Sequence, residues 1–155
     1  MDIAKHADDL LDHLGSVLNL TNLKFDDNNE CFFTLEKKMV FMLYLDDEEM
    51  NSIIINLPMG MLPENENRER LMYEMLCGNY CWGITDGATI GVDEETAVIS
   101  LSYLVQLPLQ AQGQMVDIVA KLVAVAQYWM KKIETISQEA GVIKSPQTTA
   151  NFIRV

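Results

Sequence analysis

The stretch PENENRERLMYEMLCGNYCWGITDGATIGVDEETAVISLSYLVQL, residues 63–107, decides the fold. Leu71, Met72, Met75 and Leu76 recur at three- and four-residue spacing, which predicts a short helix exposing a methionine-rich stripe. Asn65 or Asn67 can cap its start, and Glu66 and Glu69 suit the positive end of its dipole. Cys77-Gly78-Asn79 predicts the stop, since glycine enters the left-handed conformation cheaply. Asp86-Gly87 marks a turn, GATIGV a strand, Asp93 to Thr96 another turn, and Ala97 to Leu107 a long strand. A helix set within antiparallel strands is an α+β arrangement.

Working outward toward the N-terminus, three more strands are expected: Cys31 to Leu35, Met39 to Leu45 and Met50 to Leu57. The acidic runs Asp26-Asp27 and Asp46 to Glu49 supply turns. In the third strand Ile53, Ile55 and Leu57 share one face, leaving Ile54 on the other. In the last strand Ile99, Leu101, Tyr103 and Val105 alternate with polar residues, Leu104 excepted. The second strand, Val40 to Leu45, is apolar on both sides, so its second face needs a cover from the fold or from a partner. Phe32, Met42, Tyr44 and Ile54 are the residues placed on that outer side. A first helix is expected over residues 2–18, with Ala7, Leu10, Leu11, Leu14 and Val17 on its apolar stripe. A last helix runs from Leu109 to about Glu139 with Gly141 at its end. The order is α-β-β-β-α-β-β-α: a twisted antiparallel sheet packed by the first and last helices. One domain over residues 1–140 and a polar, flexible tail over 141–155 complete the expectation.

Composition narrows the function. Of 155 residues, 49% are hydrophobic, enough for a core. Eleven basic residues against 23 acidic give a net charge of −12, which repels phosphate backbones and anionic lipid. Neither nucleic acid nor membrane is therefore an expected partner. Three cysteines, and an acidic amphipathic start instead of a secretion signal, point to a reducing cytoplasm.

Catalytic chemistry is hard to assemble from these residues. His6, Asp9 and His13 can share a helix face, but no fourth metal ligand accompanies them, and a wet acidic face is the simpler reading. Cys77 and Cys81 are poorly spaced for zinc and read as small buried hydrophobes. Gly83, Gly87 and Gly91 recur without GK[ST], so they form no phosphate loop. Acidic pairs fall in turns, where solvated carboxylates are the default. No enzyme activity, metal or cofactor is expected. Ten methionines, among them Met39, Met42, Met59, Met61, Met72 and Met75, suit an adaptable peptide-binding or dimer surface.

The acidic first helix, FDDNNECFFTLEKKMVFMLYLDDEEMNSIIINLPMGMLP, LMYEMLCGNYCWGITDGATIGVD, TAVISLSYLVQLP and VDIVAKLVAVAQYWMKKI together resemble the class I type III secretion chaperones of the Tir chaperone family. The resemblance spans residues 1–137. It implies a cytoplasmic homodimer that holds the N-terminal segment of a secreted effector extended and export-competent, without ATP or metal. It places the second helix in the dimer interface, with Leu71, Met72, Met75 and Trp82 lining it. Clients of the family wrap the dimer, add a strand to a sheet edge and fill apolar patches, for which Phe32, Met42, Tyr44 and Ile54 are the candidates here. The competing expectation is an adaptor or regulator on the same fold that binds a folded partner.

Overall fold

Asp2 opens the first helix: its Oδ1 accepts a hydrogen bond from the Lys5 N–H at 3.1 Å. The structure is a computed structural model that describes residues 2–139. Helix α1, Ile3–Leu18, ends at Asn19, whose φ of 56° is left-handed. Ala7, Leu10, Leu11 and Leu14 are buried, whereas Val17, expected on the same stripe, is exposed. Strands β1 (Glu30–Leu35), β2 (Met39–Asp46) and β3 (Ser52–Met61) follow. Then come α2 (Asn67–Asn79), a single 3₁₀ turn at Tyr80–Trp82, β4 (Thr89–Val92), β5 (Val98–Gln106) and α3 (Gly113–Gln138). Aspartates build three of the turns. Asp26 Oδ1 accepts from the N–H groups of Asn28 and Glu30, Asp46 Oδ1 from those of Glu49 and Met50, and Asp93 Oδ1 from those of Glu95 and Thr96.

The five strands form one antiparallel sheet in the order β1-β2-β3-β5-β4. Its inner face carries Phe33 stacked on Phe41 with centroids 4.8 Å apart, then Leu43, Ile53, Ile55, Leu57, Leu101 and Val105, all buried. Helix α3 crosses β3 on this face, and α1 and α2 pack beside it. At the centre lies Trp129, fully buried. The fold is the α+β order that the periodicities predict.

The end of β3, the start of α3 and the cause of the α2 stop differ from the sequence expectation. Strand β3 continues past Leu57 to Met61, although Pro58 has no N–H to give. The β2–β3 ladder ends at the Met42–Asn56 pair, and beyond it β3 bonds only to β5, through an irregularity between Pro58 and Gly60. The proline is tolerated because the strand that would need its N–H has already diverged. Helix α3 starts at Gly113 instead of Leu109. Leu109 is held in the connection, where its N–H donates to His6 Nε2 at 3.2 Å. Gly78 does not stop α2 in a left-handed conformation; it is helical and lies against Trp129, where a Cβ would come within 2.3 Å of the indole. The first residues past α2 with left-handed φ are Cys81 and Trp82, at 54° and 53°. Gly141, the domain limit at residue 140 and the tail 141–155 lie outside the described residues.

Helices α2 and α3 are tied together at their polar margin. Lys132 Nζ donates to Glu74 Oε2 at 2.7 Å and sits 5.0 Å from the Trp129 ring centroid. Burial lowers its pKa, but the bond to the Glu74 carboxylate and its charge prevail, and the net shift is upward. Asn65 Oδ1 accepts from the Asn67 N–H at 3.0 Å at the start of α2, while Asn67 Nδ2 donates to the Glu139 carbonyl at 2.7 Å.

Candidate functional site

Register assembles the outer face of the sheet from residues that alternate with the core. One cross-strand row holds Glu30, Tyr44, Ile54 and Leu104, and the next holds Phe32, Met42, Asn56, Ser102 and Thr89. Phe32, Met42, Tyr44 and Ile54 therefore share one face, on three adjacent strands. Phe32 and Tyr44 meet edge to face with centroids 6.4 Å apart. Phe32 remains 52% exposed and Ile54 38%, with Met42 and Tyr44 half-buried between them. Leu104, 47% exposed, completes the row beyond Ile54. It was missing from the sequence-based set, although its break in the alternation of β5 was the available signal. Val40 is exposed on the same side of β2. An apolar face of this kind is the usual mark of an interaction site.

The two margins of the sheet differ. At β4 the edge is capped at Ile90: Asn79 Nδ2 donates to the Ile90 carbonyl at 2.9 Å, and the Ile90 N–H donates to Asn79 Oδ1 at 2.8 Å. A side-chain amide thus stands in for a neighbouring strand. At β1, the Glu30 N–H donates to Asp26 Oδ1 and the Glu30 carbonyl accepts from the Asp26 N–H, so both groups point away from β2. Alternation turns the N–H and C=O of Phe32 and Thr34 the same way. Among the described residues no backbone group outside the sheet bonds to them. The apolar face is therefore continuous with an open strand margin.

Helix α2 presents a second apolar surface. Asn67, Leu71, Met75 and Gly78 point inward, toward α3 and β4. Leu71 is fully buried and Met75 nearly so, so both belong to the core of this chain instead of offering side chains at the surface. Met72 and Trp82, from the same expected set, are exposed. They are joined by Leu76 (68% exposed), which helical spacing had put on the same stripe, and by Tyr73 and Tyr80 (79%), which it had not singled out. Of the six methionines, Met39, Met59 and Met75 are core, whereas Met61 and Met72 are exposed and Met42 is half-buried.

The chemistry-bearing residues resolve differently. Cys77 and Cys81, expected as buried hydrophobes, are exposed, because Cys77 falls on the outward side of α2 and Cys81 follows the helix end. Cys77 raises the pKa of Tyr73 through a side-chain hydrogen bond. Cys31 is the buried thiol; desolvation pushes it up to about 11, with Asp8 adding to the shift. His6 serves as an acceptor for a backbone N–H. Among the described residues no group of three or more His, Cys, Asp or Glu is arranged to hold a metal ion.

A sequence model of the Tir chaperone protein (CesT) family matches residues 9–130. No curated protein matches the chain in sequence. Among solved structures, the fold is similar to one in the ExsC–ExsE complex, with a TM-score of 0.73 and 16% identity, covering 86% of this chain and 97% of that one. It is also similar to a chain of the HopA1–SchA chaperone–effector complex, with a TM-score of 0.62 and 16% identity over 84% of this chain and 94% of that one. A third similar structure is that of the Yersinia pestis type III secretion chaperone SycH with a stable fragment of YscM2. There the TM-score is 0.57 and the identity 16%, covering 84% of this chain and 99% of that one.

Proposed function

The chain belongs to the Tir chaperone protein (CesT) family, and on that premise we propose that it binds the N-terminal segment of a type III effector in extended form and keeps it export-competent in the cytoplasm. As a member of a family of effector-binding chaperones it is a binding protein, not an enzyme. The observation that carries the finer reading is the apolar outer face, Phe32, Met42, Tyr44 and Ile54 with Leu104, lying beside the free margin of β1. An extended segment can bond its backbone to Phe32 and Thr34 and seat alternate side chains on that face. Each apolar side chain of this size that becomes fully covered contributes about 1.5–3 kcal/mol. Among the described residues no helix is long and apolar enough to cross a membrane, and the net charge of −12 disfavours anionic lipid and nucleic acid as partners.

The active unit in this reading is a homodimer paired through the outward side of α2. Met72, Leu76, Tyr80 and Trp82 make the contact, and Leu71 and Met75 support it from beneath. Replacing Leu76 by Asp together with Trp82 by Ala converts the dimer to folded monomers in sedimentation velocity, whereas an unchanged dimer contradicts this assignment. The function itself is tested by co-expression with the candidate effector followed by limited proteolysis. A discrete, protected, unfolded N-terminal segment supports the reading. Protection of a compact globular domain instead favours an adaptor for a folded partner.

A further inference from the structure

The five strands contain no lysine, arginine or histidine at all. The basic residues nearest the outer face in sequence are Lys37 and Lys38, at the tip of the β1–β2 hairpin. At the other end of the same hairpin lie Asp26, Asp27 and Glu30, joined by the run Asp46 to Glu49, seven carboxylates in all. The two loops are in contact, since Asn29 Nδ2 donates to Asp47 Oδ1 at 3.1 Å. Asp26 and Asp46 are engaged with turn N–H groups, while the Asp27, Glu48 and Glu49 side chains accept no hydrogen bond among the described residues. A third acidic turn, Asp93 to Glu95, lies at the hairpin-tip end but on the far margin, beyond β3 and β5. The apolar patch therefore has a charge direction along its strands: seven carboxylates against Lys24 where β1 begins, and Lys37 and Lys38 against the single Glu36 where it turns into β2.

We propose that this face selects a client segment with apolar side chains at alternate positions and a cluster of Lys or Arg at the end lying against Asp27, Glu48 and Glu49. This rests on the reading of the outer face as the client surface. From Asp46 to Val40 the face spans about 20 Å, the length of about seven extended residues. The apolar rows supply affinity, and the charges fix which end lies where, a division that is general at interfaces. A segment of inverted charge would bring its own carboxylates against seven others.

The test uses nine-residue synthetic peptides with leucine at alternate positions, carrying two lysines at one end, two glutamates at that end, or neither. Binding is followed by amide chemical shifts of the full chain, and a spin label beside the lysines reports orientation. The lysine peptide binds about tenfold more tightly than the neutral one at low salt, and the advantage disappears at high salt. Its label broadens Asp47 to Glu49 and spares Lys37 and Lys38. The triple variant Asp27→Asn, Glu48→Gln, Glu49→Gln keeps its affinity for the neutral peptide and loses the preference. Equal binding of all three peptides, or a label nearest Lys37, overturns the charge assignment while leaving the face as a client surface. Binding of none at the outer face overturns both. Self-association that Ile54→Asp abolishes assigns the face to a second copy and overturns the inference.

Discussion

A methyl group at position 78 would sit 2.3 Å from Cζ2 and 2.8 Å from Cη2 of the buried Trp129. Alanine favours an exposed helix over glycine by about 1 kcal/mol. At this position steric conflict prevails, and Gly78→Ala is expected to destabilise the fold by about 2 kcal/mol in urea unfolding. A stabilised variant would contradict the packing. Turn aspartates carry a different signature. Asp93 is held below the ordinary carboxylate value by the Thr96 side chain and then its N–H, and Asp46 by the N–H groups of Glu49 and Met50. Because both folded-state values are lowered, their stabilisation is present above the ordinary value of 3.8 and is lost as pH falls through the lowered one. Asp93→Asn should accordingly flatten the decline of the urea midpoint below about pH 4. An unchanged decline would assign the acid sensitivity elsewhere.

At the scale of elements, the join between α2 and β4 depends on Asn79. Asn79→Ala removes two hydrogen bonds to the Ile90 backbone and should cost about 2 kcal/mol. It also uncaps the β4 margin at Ile90, so amide exchange of Ile90 quickens; unchanged exchange would mean that another group covers the edge there. The sequence announced this boundary but gave the wrong cause for it. CGN looks like a glycine stop, whereas Gly78 is there for close packing and Asn79 for capping the edge at Ile90. The end of β3 was hidden for a comparable reason. Pro58 is a strand terminator by local rules, and only the divergence of β2 from β3, a tertiary fact, lets the strand run on to Met61. Alternation did reveal which side chains share a face. It requires no long-range knowledge, and Ile54 lies opposite Ile53 and Ile55 as the pattern demands.

For the molecule as a whole, the outer sheet face and the outward side of α2 are prominent apolar surfaces among the described residues of an acidic chain. Both were visible in the sequence as excess hydrophobicity, in a strand apolar on two sides and in a methionine-rich helix. Which members of α2 point outward was not visible. Leu71, Met72, Met75 and Leu76 satisfy one helical stripe equally well until the position of α3 divides them. The central claim is that the outer face is a docking surface and not unfinished core. The most direct measurement is calorimetric titration of the Met42→Lys, Ile54→Asp double variant with the protease-protected effector segment, alongside its circular dichroism spectrum. The account predicts a native spectrum with no detectable binding. An unfolded variant, or a folded one that still binds with wild-type affinity, would contradict it.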